Sequence, residues 1–199
     1  VIVGSGFAGI NAAIQLRKNI SNSSILVIDS KSQFEFKPLL YEVLSDEIQS
    51  WEVIPSFDAI FANSGITFLR NTVKLIDLDK KFLILQDEFK VEFQYLILST
   101  GSSPNEFSIK GVKEYSYFFN TNQDQQKLKS LLKQPLLKNN CKKIFIIGAG
   151  PSGVELACKI NDLYQTKFEI IIVEKTAEIL NNNKIFNKEE AQKTIDEKN

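Results

Sequence analysis

The feature that most constrains this chain is a glycine pattern that occurs twice, each time directly after a short apolar run. Residues 1–10 read VIVGSGFAGI and residues 144–153 read IFIIGAGPSG, so both segments carry glycines in the spacing G-x-G-x-x-G. An apolar strand, a glycine turn and a following helix are typical of a βαβ unit with a parallel sheet. The pattern therefore predicts an α/β fold that contains two units of the same kind.

The first copy has every part of a dinucleotide-binding unit. Val1 to Val3 predict a strand, GFAGINAAIQLRKN predicts a helix, and SSILVIDSK predicts a second strand that places Asp29 twenty residues after Gly9. In such a unit the first glycine permits the turn, the second lets the backbone approach a pyrophosphate, and the third lets helix and strand pack closely. The helix N-terminus attracts phosphates, and the acid at the strand end bonds a ribose hydroxyl.

The second copy repeats each part. CKKIFIIG predicts the strand, GVELACKINDLYQ the helix and KFEIIIVEK the second strand, and Glu174 lies twenty-one residues after Gly153. One alternative is that one copy is a decayed repeat that only packs. Both copies keep all three glycines and the acid, which argues against that alternative. Two complete units imply two bound dinucleotides.

The segment between the copies predicts a meander and a strand that returns to the first sheet. ITFLRNTVKLIDLDKKFLILQDEFKVEFQY alternates apolar and polar residues, with turn signals near Asp79-Lys80 and Asp87-Glu88. QYLILSTGSSPN predicts an apolar strand that runs into Thr100-Gly101, and NTNQDQQKLKSLLKQ predicts a capped helix that leads to the second unit. The spacing of Ile54, Phe57, Ile60 and Phe61 predicts a helix that packs in the core, whereas Lys127, Lys129 and Lys133 predict a solvated helix face.

Composition argues against several classes of function. Lys plus Arg and Asp plus Glu both number 24, so the net charge of zero predicts no nucleic-acid partner. The chain has no His, and its two cysteines, Cys141 and Cys158, are too far apart for a zinc or C-x-x-C site. We therefore predict no metal site and two reduced, partly buried thiols. No apolar run approaches the ~20 residues that span a bilayer.

Both ends of the sequence indicate a fragment. Met is absent, Val1 already lies in a predicted strand, and EEAQKTIDEKN ends within a predicted helix. We expect the chain to come from a longer protein and the second unit to be truncated.

With these motifs the chain resembles the flavoproteins that have two dinucleotide-binding domains. In that family the first Rossmann-like domain holds FAD, and an inserted second one holds NADH or NADPH. The resemblance covers essentially the whole chain. It implies an FAD-binding domain with a β-meander over residues 1–120 and an incomplete NAD(P)H-binding domain over residues 121–199. The family's later G-D motif and C-terminal region have no counterpart here, which agrees with truncation before the C-terminal part.

One segment resembles a particular branch of this family. FKPLLYEV, residues 36–43, is similar to the Phe-x-Pro-Leu-Leu segment that runs beside the flavin in type II NAD(P)H:quinone oxidoreductases, the alternative NADH dehydrogenases. Residues 30–57 contain no cysteine, unlike the disulfide reductases. LSDEIQSWEVIPSF resembles the cyanobacterial and chloroplast branch associated with demethylphylloquinone reduction. The resemblance implies that hydride passes from NAD(P)H to flavin and that two electrons pass on to a quinone, without proton pumping.

The motifs and the resemblance assign residues to the FAD site. The first glycine turn is expected to cradle the FAD pyrophosphate with Gly4, Ser5, Gly6, Phe7, Ala8 and Gly9. Asp29 is expected on the adenosine ribose, with Ser30 and Lys31 at the border of the adenine pocket. By resemblance alone, the flavin end is expected beside Lys37, Pro38 and Leu39. Thr100 and Gly101 are expected near the FAD phosphate, while Val73 either touches the adenine through its backbone or is an ordinary strand residue.

The second site is assigned in the same way. The NAD(P)H pyrophosphate is expected on Gly148, Ala149, Gly150, Pro151, Ser152 and Gly153. Glu155 matches a family glutamate that points toward the nicotinamide and is the candidate catalytic residue; alternatively it is a solvated acid that favours the helix dipole. Glu174 is expected to bond the adenosine ribose and to repel a 2′-phosphate, which favours NADH. Lys175 could accept that phosphate, so NADPH stays open.

The resemblance also implies partners and a location. We expect a quinone substrate and a cytoplasmic protein that sits peripherally on the inner or thylakoid membrane face, attached through the missing C-terminal part. A homodimer is open. Two other functions are open as well: a flavin-dependent NAD(P)H reductase with a soluble acceptor such as ferredoxin, and a non-catalytic, nucleotide-sensing flavoprotein. The fold does not decide the electron acceptor.

Overall fold

The structure, a computed structural model, describes residues 1–133, 143–181 and 183–198, and the chain divides into two units. The first unit contains residues 1–37 and 49–121, and the second contains residues 38–48 and 122–199. Cys158 is a free, half-buried thiol, whereas Cys141 lies outside the described residues. In the part of the chain that the structure describes, no helix combines the length and apolar character needed to cross a membrane.

Each glycine motif is followed by the helix and the second strand that it predicts. In chain order the helices and strands are β1 (Ile2–Val3), α1 (Phe7–Asn19), β2 (Ile25–Asp29), a 3-10 turn (Lys37–Leu39), α2 (Leu40–Leu44), α3 (Ser50–Val53), α4 (Phe57–Phe61), β3 (Ile66–Arg70), β4 (Val73–Asp77), β5 (Phe82–Leu85), β6 (Lys90–Glu92), β7 (Ile97–Leu98), α5 (Val112–Tyr115), α6 (Asn122–Lys133), β8 (Lys143–Ile147), α7 (Pro151–Tyr164), a second 3-10 turn (Gln165–Lys167), β9 (Glu169–Val173) and α8 (Ile185–Lys198). The helix and strand that follow the motif are α1 and β2 in the first copy and α7 and β9 in the second.

The first unit is built on a parallel sheet in the order β3-β2-β1-β7, which confirms the predicted Rossmann-like α/β core. Alternate residues of a strand point to opposite faces, so the sheet divides the core into two layers. On one face Ile2 and Val27 pack with Ala13 of α1 and with α4. On the other face Val3 and Ile28 pack against β5 of the meander.

The predicted meander is partly wrong. Ile66–Arg70 is a strand of the parallel sheet and pairs with β2 over its whole length. The antiparallel meander is β4-β5-β6, and its turns lie where Asp79-Lys80 and Asp87-Glu88 predict them. Alternation of apolar and polar residues indicates a half-buried strand but does not identify its partner. A helix, α4, precedes β3, and such a connection suits a parallel pairing.

The second unit is built on the parallel pair β8-β9, which runs in register from Lys143 opposite Glu169 to Ile147 opposite Val173. Helix α7 packs beside this pair with Val154, Ala157 and Ile160 buried. Residues 38–48 also belong to this unit, although the chain on both sides of them belongs to the first unit. Their helix, α2, packs on α6 and α7.

Lysines of the second unit hold the segment 38–48 in place. The ammonium group of Lys129 donates to the carbonyl oxygen of Val43, 3.1 Å away, and pairs with Asp46. Lys159 pairs with Glu47 at 2.8 Å. A cation at the last carbonyls of a helix satisfies unpaired acceptors and suits the helix dipole. The predicted solvated face is therefore wrong for Lys129, because this side chain is partly buried against the end of α2.

We expect Phe57→Ala to destabilise the first unit. The Phe57 ring is 2% exposed and its centroid lies 4.8 Å from that of Phe68, so its removal leaves a cavity in the core. Such a truncation costs about 3–5 kcal/mol of the free energy of unfolding, measured by urea denaturation. The matched control Phe89→Ala removes a ring that is 69% exposed and changes stability by less than about 0.5 kcal/mol. Equal effects of the two substitutions would contradict the core assignment.

Candidate functional site

Each glycine turn begins with a residue in the left-handed region of backbone conformation. Gly4 has φ +96° and Gly148 has φ +105°, angles that other residues rarely adopt. The N–H of Gly4 donates to Ile28 O and that of Gly148 donates to Val173 O, both at 2.8 Å. Both turns are thus attached to the strand that follows the helix in sequence.

The remaining glycines have two different roles. A Cβ added at Gly9 would overlap the carbonyl oxygen of Gly4, and one added at Gly153 would overlap that of Gly148. At Gly6 and Gly150, in contrast, an added Cβ would meet no described atom within 4 Å. Packing within the protein therefore requires the third glycine but does not require the second. The open space beside the second glycine is a cradle that a Cβ would fill, and a phosphate approaching the backbone explains why it is kept free.

The helices that follow the turns present their N-terminal ends to the same cradles. Helix α1 begins after Gly6 and α7 begins after Gly150, with Pro151 at its first position. Among the described residues, no side chain caps either helix. Their first-turn N–H groups are thus available to an anionic ligand, and the helix dipole favours negative charge there.

The acids at the strand ends bind the glycine turns directly. Asp29 accepts hydrogen bonds from the backbone N–H of Ser5 at 2.7 Å and from its hydroxyl at 2.9 Å. Glu174 accepts the backbone N–H of Ala149 at 2.7 Å and that of Lys175 at 2.7 Å. These bonds, with one from Thr176, lower the pKa of the Glu174 carboxyl group. Both acids reach the residue between the first two glycines.

A cavity of about 400 Å³ lies in the first unit at the carboxyl ends of its parallel strands. It brings together five residues that the sequence analysis assigned to one ligand, namely Gly4, Asp29, Ser30, Val73 and Thr100. Asn71 and Thr72 complete part of its wall. Ligands of open α/β sheets bind at this edge, so the shape and position of the cavity fit the nucleoside part of a dinucleotide. The assignment of each side chain to a ligand atom stays a prediction.

Three further residues assigned to the first site lie on the turn or directly follow a residue that lines this cavity. Phe7 is half exposed and its ring contacts Phe34 and Phe36, with centroids 5.0 and 5.2 Å away. Gly101 has φ +72°. The Lys31 N–H donates to Asp29 at 2.9 Å, and its ammonium group pairs with Glu35.

The three residues expected beside the flavin are exposed and belong to different units. Lys37 lies in the first unit, where its ammonium group donates to the Asn120 side chain at 2.9 Å. Pro38 and Leu39 belong to the second unit. Their contact with a flavin stays a prediction.

The second turn has one neighbour that the sequence did not identify. Ser152 and Glu155 are exposed on the first turns of α7, and the hydroxyl of Tyr41 lies 3.4 Å from the carbonyl oxygen of Ser152. The signal for Tyr41 in the sequence is the FKPLLYEV stretch, which by resemblance is expected beside the flavin. Lys175 is exposed beside Glu174.

Ser99 is a second residue that the sequence analysis did not assign. Its hydroxyl donates to the carbonyl oxygens of Val3 and Gly4 at 3.0 and 2.7 Å. The backbone that follows Ser99 lies so close to Gly4 that a Cβ added at Gly4 would come within 2.9 Å of the Thr100 nitrogen. The signal in the sequence that indicates Ser99 is its position directly before Thr100-Gly101.

Comparison with known proteins agrees with this geometry. The profile of the pyridine nucleotide-disulphide oxidoreductase family matches residues 1–199. The chain is 34% identical to demethylphylloquinone reductase NdbB of Synechocystis, over 99% of this chain and 51% of that protein. It is 29% identical to the alternative NAD(P)H-ubiquinone oxidoreductase C1 of Arabidopsis thaliana, over 98% of this chain and 41% of that protein. The chain thus spans about half the length of these relatives or less.

A solved structure supports the fold. NDH2 of Plasmodium falciparum in complex with NADH superposes with a TM-score of 0.85 at 22% identity, over 100% of this chain and 46% of that one. At this level of identity the likeness concerns the arrangement of the helices and strands.

We expect Glu174→Gln to destabilise the second unit at neutral pH but not in acid. Hydrogen bonds from the glycine turn lower the pKa of Glu174, so its charged form stabilises the folded state above its ordinary pKa of 4.5. That contribution disappears as the pH falls below 4.5 through the lowered pKa. The melting temperatures of the variant and the parent protein, measured from pH 7 downwards, should therefore converge in acid. Glu189→Gln, on α8, controls for the loss of one exposed charge, and a pH-independent difference for Glu174→Gln would contradict the assigned role.

Proposed function

Because the chain belongs to the pyridine nucleotide-disulphide oxidoreductase family, we propose that it is the N-terminal part of a type II NAD(P)H:quinone oxidoreductase. The observation that carries this proposal is the pair of glycine turns that each have an open cradle at the second glycine, a helix start after it and a strand-end acid that binds the turn. A protein with one nucleotide cofactor needs one such cradle. Two of them support a bound flavin nucleotide and a second dinucleotide that is exchanged.

The first unit fits FAD. We assign the pyrophosphate to the backbone of the turn from Gly4 to Gly9 and the adenosine ribose to Asp29. Both oxygens of Asp29 already accept one hydrogen bond or more, and a carboxylate oxygen has a second lone pair for a ribose hydroxyl. The 400 Å³ cavity beside Val73 and Thr100 is then the adenosine end of the site. When bound, FAD and NAD(P)H supply hydride transfer and two-electron delivery to a quinone.

The second unit fits NADH or NADPH in the same manner. The turn from Gly148 to Gly153 would hold the pyrophosphate, with Glu155 toward the nicotinamide end. Glu174 would bond the ribose and repel a 2′-phosphate, and its backbone bonds keep it charged and fixed in place. The Lys175 side chain is exposed and offers a positive charge close by. We therefore assign NADH as the preferred donor, with NADPH as the alternative that Lys175 allows.

The names of the relatives support a quinone as the electron acceptor. Both curated relatives described above are named as quinone reductases, and the chain aligns with each over nearly its whole length. We extend the proposal to a protein that is attached peripherally to the inner or thylakoid membrane face through a part outside this chain. We also keep the boundary between the FAD domain and the NAD(P)H domain near residue 120 as part of the proposal.

The proposal predicts a two-step change in the flavin absorption of the full-length protein. Under anaerobic conditions, NADH should bleach the flavin, NADPH should do so more slowly, and a quinone should restore the absorption. Recovery with ferredoxin but not with a quinone would identify a reductase with a soluble acceptor. A yellow protein that neither nucleotide bleaches would overturn the proposal and leave a nucleotide-sensing role.

Substituting the second glycine of each turn should distinguish the two cofactor sites. Gly6→Ala and Gly150→Ala add a methyl group to an open cradle, so we expect the flavin-free forms of both variants to melt at the temperature of the flavin-free parent. Gly6→Ala should lose flavin. Gly150→Ala should keep flavin but bind NAD⁺ at least about tenfold more weakly, the equivalent of losing a hydrogen bond of ~1.5 kcal/mol to a charged group.

Each of these two variants is the control for the other. Flavin content is measured by absorption after purification, and NAD⁺ affinity is measured by calorimetry. If Gly150→Ala lost flavin, or if Gly6→Ala kept it while losing affinity for NAD⁺, the two assignments would have to be exchanged.

A further inference from the structure

A tyrosine from the segment 38–48 reaches the helix end that follows the second glycine turn. Tyr41 lies on α2, is 8% exposed, and places its hydroxyl 3.4 Å from the carbonyl oxygen of Ser152. Glu155 lies three residues further along α7, on the same side of the helix, and its charge acts on the same phenol. The phenol therefore lies between a backbone carbonyl of the nucleotide-binding turn and the candidate catalytic residue.

The contact does not depend on one flexible side chain. Three neighbours of Tyr41 on the same helix, Leu40, Val43 and Leu44, are buried. Lys129 and Lys159 hold the acidic end of the segment through Asp46 and Glu47, and the Lys159 pair attaches it to α7 itself. The ring of Tyr41 thus has a fixed position relative to the first turns of α7. A hydrogen-bond donor fixed in this way can orient an exposed partner at little cost in side-chain entropy.

The phenol is suited to remain a donor. Burial raises its pKa first, and the negative charge and hydrogen bond of Glu155 raise it further, while a hydrogen bond with the Ser152 side chain acts in the opposite direction. Tyr41 is therefore protonated at neutral pH. A phenol has one proton to donate, and an ionised carboxylate is a stronger acceptor than a neutral carbonyl. The exposed Glu155 carboxylate is therefore a better acceptor of that proton than the carbonyl oxygen of Ser152, 3.4 Å away.

We propose that Tyr41 is a positioning residue, which fixes the Glu155 carboxylate at the nicotinamide end of the second site. This inference rests on the proposed function, in which Glu155 faces the bound nucleotide. It gives the FKPLLYEV segment a role toward the nicotinamide nucleotide through the contacts of its tyrosine within the second unit. Without the phenol, Glu155 samples several rotamers, and the nucleotide must order it on binding.

The test uses Tyr41→Phe, Glu155→Ala and the double variant in the flavin-loaded, full-length protein. Tyr41→Phe keeps the buried ring and removes only the hydroxyl. It should weaken NAD⁺ binding, measured by calorimetry, about threefold to tenfold, because the nucleotide must then immobilise the Glu155 side chain itself. It should also slow the reduction of flavin by NADH without changing reoxidation by quinone. In the Glu155→Ala background, which has no side-chain acceptor, Tyr41→Phe should have no further effect, since residues that act through one contact are not additive.

The matched control is Tyr164→Phe, at the other end of α7, where the ring packs against Phe168 with centroids 5.5 Å apart. Its NAD⁺ affinity should equal that of the parent protein. If Tyr41→Phe binds NAD⁺ like the parent, or loses the same factor with and without Glu155, the positioning role is overturned while the proposed function stands. If the parent protein itself neither binds NAD⁺ nor is bleached by a nicotinamide nucleotide, both are overturned.

A second measurement does not require a Tyr41 variant that folds. In an ultraviolet titration of the phenols, Glu155→Gln should lower the pKa of one tyrosine, because it removes the charge beside Tyr41. Unchanged phenol titration in Glu155→Gln would show that the hydroxyl and the carboxylate do not interact, and it would overturn the inference.

Discussion

Both candidate sites depend on a strand-end carboxylate that bonds the glycine turn beside it. Asp29 and Glu174 each accept the N–H of the residue between the first two glycines, at 2.7 Å. The N–H of the first glycine donates to the residue just before each acid. These two bonds join the turn to the neighbouring strand. They thereby set the position from which the helix begins. The acid is therefore part of the scaffold before it meets any ribose, which is why it lies at the end of the strand.

The fold requires the first and third glycines of each turn, whereas a ligand explains the second. The first needs a left-handed backbone, and the third has no room for a Cβ against the carbonyl oxygen of the first. Neither of these two conditions applies to the second glycine, which is Gly6 in the first unit and Gly150 in the second. In both copies this position is glycine although the fold does not require a glycine there. This is the strongest structural sign of a ligand that approaches the backbone. The same test separates a binding turn from a repeat that is kept only for packing.

Order along the chain and position in space differ most at residues 38–48. This segment leaves the first unit after Lys37, packs on α6 and α7, and returns at Gln49. Its acidic end is held by lysines of those two helices, at a position where an exposed lysine face had been predicted. A segment of this kind places one stretch of sequence in the second unit, although the residues on both sides of it belong to the first.

The sequence by itself determined the two βαβ units, their glycine turns, their acids and the positions of the meander turns. These features are local: strand and helix periods, glycine spacing and turn residues leave a signature within about thirty residues. It did not determine that residues 66–70 join the parallel sheet, because alternation does not name a partner strand. Nor did it place Tyr41 beside Ser152, or Ser99 against Gly4, since residues more than ninety positions apart meet only through packing. Tertiary structure decided these contacts, because the packing of α2 and the pairing of β7 with β1 bring together side chains and backbone that no local pattern connects.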